Sequence, residues 1–190
     1  MADPPAEHAG SSSSPPTRWL GADWPKDEAA AADERTTLIA FLTYQRSVLT
    51  RKVEGLNDEQ ARMATCPPSD LTMLGLVRHL ADVERSWSQR SMMGAAAGPI
   101  YYGPAHPDGD EDGDFHPPPD ATVADAIATY WAEIDAADSI YDAASLDDLE
   151  RSDRGMYSLR WIFIHLLEEY ARHCGHADLI RQAIDGTTGD

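Results

Sequence analysis

The residues best suited to chemistry in this sequence lie between Ser158 and Gln182, in a stretch without proline. Successive residues of an α-helix turn by about 100°. On one continuous helix, four ionisable residues of this stretch fall within an arc of about 80°: His165, Glu169, His173 and His176. Because apolar residues share this arc, the helix would turn a carboxylate and three imidazoles toward the protein interior. A buried polar group without a partner costs about 1–3 kcal/mol, so something must satisfy these side chains.

The spacing of Glu169 and His173 is one that lets two ligands from one helix reach the same metal ion. The plainer alternative is a set of core histidines bonded to carbonyls, and the pattern ExxxH is common by chance. The flanking histidines favour the metal, provided that another helix supplies a third ligand. His79 lies on the apolar arc of a second predicted helix, Leu71–Met92, and is the natural third ligand. The sequence therefore predicts a metal site formed by His79, Glu169 and His173.

Two imidazoles and one carboxylate suit zinc, with nickel or manganese as alternatives. Three protein ligands leave positions open for water or substrate, which is the catalytic arrangement of such sites. His165 and His176 are predicted to orient the ligands or to accept a proton. Asp82 could orient the histidine of the second helix, with a surface acid as the alternative reading. Cys174 points off the arc and is not counted as a ligand.

Composition bounds the class of protein and its partners. The chain has 190 residues, enough for one compact domain, and a net charge of −18. An acidic surface argues against nucleic acid or an anionic membrane as partner and leaves a small-molecule substrate. Two cysteines imply no disulfide framework, and the first residues contain no apolar run of signal-peptide or membrane length. We therefore expect a cytoplasmic protein.

Hydrophobic periodicity predicts an all-α chain without strands or internal repeats. Residues 1–18, rich in Pro, Ser and Ala, are expected to be a disordered tail, and residues 19–190 to form a helical bundle domain. The predicted helices are Asp27–Glu54, Leu56–Met63 with Asn57 as cap, Leu71–Met92, Thr122–Ala144, and a last one from the cap Ser158 to near Ile184. Four long helices and one short one predict a four-helix bundle.

A long loop, 94–120, separates the second and third long helices. It holds six prolines and the acidic run DGDEDGD. The run lacks the spacing and the terminal glutamate of an EF-hand, so we interpret it as a solvated loop. Loops of this length are often binding edges, and Tyr101 and Tyr102 are placed to touch a ligand.

Two motifs carry a resemblance to a known group of proteins. The segments LTMLGLVRHLADVER and HLLEEYARHCGHADLIRQAIDG, in this order, make the chain similar to the DinB-like superfamily of bundle metalloproteins over roughly residues 30–187. The branch often labelled mini-circle protein is the most similar. The superfamily also contains mycothiol-dependent maleylpyruvate isomerase and bacillithiol S-transferases. The resemblance implies a divalent metal held by a histidine of the second helix and two residues of the last, here His79, Glu169 and His173.

The same resemblance implies a class of activity. Known enzymes of the superfamily use a low-molecular-weight thiol, whose pKa a metal lowers. We therefore expect a metal-dependent S-transferase or isomerase with a mycothiol-type thiol as cosubstrate. Two alternatives stay open: a non-catalytic metal-binding bundle, as a homodimer for example, and a metal-dependent hydrolase. A di-iron carboxylate site is disfavoured because the sequence lacks the two Glu-x-x-His motifs that it needs.

Overall fold

A computed structural model describes residues 31–153 and 155–189 of the chain. The predicted tail 1–18 lies outside the described residues. Five α-helices follow one another: α1 (Glu34–Val53), α2 (Asp58–Ala61), α3 (Met73–Arg85), α4 (Val123–Asp142) and α5 (Leu159–Asp185). Within the described ranges the only strand-like pairing is an isolated antiparallel bridge between Leu149 and Ser158. The prediction of an all-α bundle with four long helices is confirmed.

Side-chain caps set where the helices begin. Asn57 and Ser158 accept backbone N–H groups at the starts of α2 and α5, as predicted. The first long helix begins at Glu34 and not at the predicted Asp27, because the side chain of Asp33 accepts the backbone N–H of Thr36 and caps the helix there. Every other predicted boundary of the long α-helices agrees within two residues, except the end of the second helix.

The second predicted helix is not one α-helix to Met92. It changes after Arg85 into a π-helical segment, Ser86–Met92, whose wider turns end with the N–H of Met93 donating to the carbonyl of Ser88 at 2.9 Å. π-Helical turns are rare and often mark functional sites. Here the segment carries Trp87 to the side of the bundle where the predicted ligands lie.

The helices form one core. α5 packs against α1 and α3, and α3 packs against α4. Apolar and aromatic side chains fill the contacts between these helices, and the largest fully buried ones are Tyr130, Tyr170, Phe163, Leu42, Leu49, Met73, Leu74, Leu76, Leu80, Ile134 and Leu159. No described helix has both the length and the apolar composition that a membrane span requires. Because each helix buries one face in this core, apolar residues recur in the sequence with the helical period of 3.6 residues.

A buried ionic network ties all four long helices together. Arg46 of α1 donates from Nε and Nη2 to the two carboxylate oxygens of Glu84 in α3, each at 2.7 Å, and from Nη1 to Asp138 of α4 at 2.8 Å. Tyr170 of α5 donates to Glu84 at 2.8 Å. Burial lowers the pKa of Arg46, but the adjacent Glu84 carboxylate outweighs it, so the net pKa lies above its ordinary value and the guanidinium stays charged.

The loop between α3 and α4 folds back onto the bundle, which corrects the prediction of a solvated loop. Arg78 is buried and donates to the carbonyls of Gly113 (2.9 Å) and Asp114 (3.1 Å). The backbone of Phe115 passes so close to α3 that a Cβ on Gly75 would lie 2.7 Å from its carbonyl oxygen. The acidic run therefore ends in contact with the helix that carries His79, because a buried arginine holds its backbone there.

Candidate metal centre

The three predicted ligands meet at one place between α3 and α5. His79 Nε2 lies 3.8 Å from Glu169 Oε2, and His173 Nε2 lies 3.4 Å from the same oxygen. One ligand atom from each residue lies within 4.8 Å of the other two. The helix α5 contributes two of them at the spacing of one turn, and α3 contributes the third across the helix–helix interface. The structure thus brings together the residues that the sequence singled out; that they bind a metal stays a prediction.

His79 is held from behind by the long loop. Its Nδ1 donates to Asp114 Oδ2 at 2.8 Å, and its ring stacks on Phe115 with centroids 4.3 Å apart. Because a carboxylate only accepts, Nδ1 carries the proton of this hydrogen bond, and in the neutral ring the lone pair is then on Nε2, toward Glu169. A carboxylate behind a histidine in this way is the usual support of a metal ligand.

Asp82, the predicted partner of His79, has another role. Its carboxylate accepts the backbone N–H groups of Ile100 at 2.7 Å and Tyr101 at 3.0 Å. Burial raises its pKa, and these two hydrogen bonds oppose that rise. Both alternatives given for Asp82 are therefore wrong: it neither orients His79 nor lies on the surface, and instead anchors the start of the loop.

His173 is the most buried of the three and is kept neutral. Burial, and then the charges of His79, His176 and Arg172, lower its pKa from 6.5 to about 3. His176 lies beside it, with the two Nδ1 atoms 3.4 Å apart and the ring centroids 5.3 Å apart. The orienting role of His176 stays a prediction. A neutral imidazole with a buried lone pair is the form that binds a metal.

Glu169 faces two environments with its two oxygens. Oε2 points at the two imidazoles, while Oε1 lies 3.1 Å from Arg172 Nη1 and 3.8 Å from His165 Nε2. His165, Glu168 and Glu169 form a second group of possible ligands. Arg172 forms ion pairs with both carboxylates of that group, which makes it a surface salt-bridge cluster. Glu168 and Arg172, one helical turn apart, form the exposed part of this cluster.

The donor set fits a metal ion better than it fits a set of hydrogen bonds. Nε2 of His79 is buried and has no hydrogen-bond partner among the described residues. The separations of 3.4 and 3.8 Å exceed the about 2.7–3.2 Å of an N–H···O bond. Two ligands at about 2.0–2.1 Å from one tetrahedral ion lie about 3.3 Å apart, close to what is found here. A small cation between His79, Glu169 and His173 would satisfy the buried lone pair.

A cleft borders the cluster at His79. Its volume is about 220 Å³, and its walls include His79, Trp87, Tyr102 and Phe115 together with acidic residues of the loop. The predicted contact of Tyr102 with a ligand stays a prediction, but the residue does line this cleft. Cys174 lies elsewhere, buried with its Sγ directed at the carbonyl of Gln45, in agreement with its exclusion from the ligand set.

The residues that sequence reasoning missed are those of the loop. Asp114 and Phe115 belong to an acidic run whose composition is typical of solvated segments. One signal in the sequence is Phe115, a large apolar residue directly after the acidic run, because a fully solvated loop would leave it exposed to water. Arg78, next to His79 in the sequence, is the second signal, because it points into the core side of α3 where an unpaired guanidinium is not tolerated.

Comparison with known proteins identifies one family that the chain matches over most of its length. The sequence model of one family, described as MST, mycothiol-S-transferase, matches residues 37–186. The match includes α3, the long loop and the whole of α5, and therefore all residues of the cluster. No curated protein is similar enough to the chain to count as a match.

Proposed function

We propose that this chain, which belongs to the DinB-like mycothiol-S-transferase family, joins a low-molecular-weight thiol of the mycothiol type to an electrophilic small molecule. The reaction would need a divalent metal at His79, Glu169 and His173, with zinc as the first candidate. One observation carries the proposal: the buried Nε2 of His79 has no hydrogen-bond partner in the described part of the chain and faces a carboxylate and a neutral imidazole. Membership of the family supports the class of reaction, and the geometry of the cluster supports its proposed location.

A divalent cation bound at such a cluster lowers the pKa of a thiol, so that thiolate exists at neutral pH. Neighbouring side chains of the protein orient the candidate ligands for such a cation. Asp114 fixes the tautomer of His79 and keeps the Nε2 lone pair directed at Glu169. His176 supports His173 in the same way through its Nδ1 contact. Phe115 stacks on His79 and keeps water from one side of the ring.

The transfer itself needs a proton acceptor and an electrophile. We assign the acceptor role to His165, which lies 3.8 Å from Glu169 at the edge of the cluster and is a quarter exposed. Burial lowers the pKa of His165, so the ring is neutral and can take a proton. The S–H bond of the thiol breaks, and its proton passes to His165 and then to water. The sulfur electron pair forms the bond to the electrophilic carbon, and the leaving group departs with the electrons of its own bond.

The test is turnover of the thiol by the loaded protein. The full-length chain, reconstituted with zinc, is mixed with mycothiol and a panel of alkyl halides and epoxides, and the S-conjugate is quantified by mass after subtraction of the uncatalysed rate. We expect conjugate to form faster than without protein, and His79→Ala or a chelator to return the rate to background. Conjugate formation at the background rate by zinc-loaded protein contradicts the proposal and leaves the non-catalytic bundle. Thiol-independent consumption of an ester or amide substrate would instead indicate the hydrolase.

A further inference from the structure

One face of α3 contacts the long loop. Gly75, Arg78, His79 and Asp82 follow one another at intervals of three, one and three residues, which places them on the same side of the helix. Asp82 accepts two backbone N–H groups near the start of the loop. The other three lie against residues 113–115 near its end. The helix that carries a candidate ligand therefore holds the loop at two separate places.

Arg78 joins these two parts of the loop. Its Nη2 donates to the carbonyl of Gly113 at 2.9 Å, and its Nε donates to the carbonyl of Asp114 at 3.1 Å. The central carbon of the guanidinium lies 3.9 Å from the centroid of the Tyr101 ring, which is a cation–π contact. The side chain is only 5 % exposed. Because the guanidinium is a planar and rigid fork of donors, it fixes the course of the backbone at both carbonyls.

The partners of Arg78 differ in kind from those of the buried Arg46. Arg46 donates to the carboxylates of Glu84 and Asp138. In the described part of the chain, the hydrogen bonds of Arg78 go to backbone carbonyls and none goes to a carboxylate. Burying a cation without a carboxylate partner is costly for stability. The placement of the loop backbone explains this arginine better than ion pairing does.

Two consecutive residues of α3 hold Asp114. Arg78 binds its backbone carbonyl, and His79 Nδ1 donates to its carboxylate at 2.8 Å. Because both contacts belong to one residue, a shift of the backbone would move the carboxylate away from His79. Phe115, the next residue, stacks on the His79 ring with centroids 4.3 Å apart and would move with it. The orientation of the His79 ring thus depends on Arg78.

We propose that Arg78 is a positioning residue of the candidate metal centre: it holds the Asp114 carboxylate behind His79 and thereby raises the affinity of the centre for a divalent cation. The inference rests on the proposed function and concerns the loading of the same site. Arg78 is not a candidate ligand and acts through Asp114. On charge alone, a guanidinium near a cation site weakens cation binding. Positioning and charge therefore predict opposite effects when Arg78 is removed.

The zinc affinity of arginine variants distinguishes the two effects. Full-length protein competes for zinc with a chromophoric chelator. Arg78→Met should bind zinc about tenfold more weakly than wild type, at the lower end of the range for residues behind a metal ligand, although a positive charge is lost. Arg78→Lys keeps the charge without the planar fork and should also lose affinity, so it replaces Arg78→Met if that variant does not fold. Zinc affinity that is unchanged or higher in the folded Arg78 variants overturns the proposal.

Arg62 provides the matched control. It is another arginine that donates to carbonyls of this loop, those of Pro118 at 2.9 Å and of Ala121, beyond the residues that contact His79. Arg62→Met removes the same charge and the same kind of loop contact, and should not lower the zinc affinity. A loss equal to that of Arg78→Met would mean that any loosening of the loop has this effect, and would overturn a specific role of Arg78.

A double variant tests the route through Asp114. In an Asp114→Ala background, Arg78→Met should change the zinc affinity much less than it does alone, because the carboxylate that it positions is already absent. Equal losses in the two backgrounds would show that Arg78 acts by another route, which overturns the proposal.

A measurement on metal-free protein separates this proposal from the function on which it rests. The proton on His79 Nδ1, which forms the hydrogen bond to Asp114, is followed by proton–nitrogen NMR in chelator and assigned by its absence from His79→Ala. We expect a low-field signal in wild type and Arg62→Met, and its loss or upfield shift in Arg78→Lys. That result supports the positioning role even if wild type binds no zinc, in which case the metal centre alone fails. An unchanged signal in Arg78→Lys overturns the positioning role and leaves the proposed function intact.

Discussion

Two clusters of ionisable side chains lie inside this bundle and differ in how completely they are paired. In the first, the three guanidinium nitrogens of Arg46 donate to Glu84 and Asp138, and Tyr170 adds a further donor to Glu84. In the second, a buried nitrogen of His79 has no hydrogen-bond partner among the described residues. The first cluster is complete without any other component. We propose that a cation completes the second, and this difference in pairing separates a structural network from a candidate site.

The two clusters also differ in what holds them. The Arg46 network joins the four long helices directly through their side chains. The His79 cluster joins α3 and α5, and its support comes from a loop, through the hydrogen bond from His79 to Asp114. A fully paired buried network resists change, whereas a site on helices with a loop behind it can exchange ligands without unfolding the core.

The largest effect is expected at the paired cluster. Arg46→Met leaves the Glu84 carboxylate buried without its cation, so we expect the free energy of unfolding to fall by about 3–5 kcal/mol, equally with zinc and with chelator. Chemical denaturation under both conditions measures it. Arg160→Met is the control, because Arg160 forms ion pairs with Glu34 and Asp147 at the surface, where solvent screens them, and the free energy of unfolding should change far less. A small or zinc-dependent loss in Arg46→Met would contradict the structural role.

Asp114 tests the support of the unpaired cluster. Asp114→Asn removes the charge behind His79 while keeping the shape, and the affinity for zinc should fall about 10–100-fold. Competition with a chromophoric chelator measures the affinity. Asp112→Asn removes the same charge from the same loop without touching His79, and should change the affinity much less. If both variants lose affinity equally, the effect is one of overall charge and Asp114 has no specific part in it.

The pKa of His173 predicts how acid affects the metal-free protein. Burial first, and then neighbouring positive groups, lower this pKa from 6.5 to about 3, so between these values the unfolded chain binds a proton that the folded chain does not. The contribution of His173 to stability is therefore lost progressively as the pH falls below about 6.5. We expect His173→Asn, in chelator, to show a shallower decline of unfolding free energy between pH 7 and 4 than wild type. If the unfolding free energies of the two proteins decline in parallel, the proton is taken up by a group other than His173.

The smallest effect is expected at the cysteines. Cys66 lies in the loop before α3, and Cys174 is buried against α1, so neither reaches the cluster. Cys66→Ala and Cys174→Ala should keep most of the thiol-transfer activity, because the nucleophile belongs to the cosubstrate. The conjugate assay, with metal content measured in parallel, gives the comparison. Loss of turnover in either variant at unchanged metal content would move the nucleophile onto the protein.

The helices and the cluster could be predicted because their signals are local. An interval of four residues brings Glu169 and His173 to the same side of any helix, whatever surrounds it. The apolar periodicity of α3 placed His79 on the face that meets α5. The combination needed only the assumption that two amphipathic helices pack together on their apolar faces.

The loop and the paired network could not be predicted because their partners are distant in the sequence. Asp114 lies 35 residues from His79, and Glu84 lies 38 residues from Arg46. The acidic composition of the loop predicted exposure to solvent, but Asp114, the last residue of the acidic run, is buried. The change to π-helical turns after Arg85 has no marker in the apolar pattern, which continues through Trp87.

The central claim is that the His79 cluster is completed by a cation, and melting curves of two proteins test it most directly. Wild type and His79→Ala are each measured with zinc and with chelator, after elemental analysis of wild type purified without chelator. We expect about one metal per chain in wild type and a stabilisation by zinc of about 4 kcal/mol at a thousandfold excess over Kd. In His79→Ala this stabilisation should disappear, while the metal-free variant still folds on its apolar core. An equal zinc-dependent shift in both proteins, or no metal and no shift in wild type, would contradict the claim.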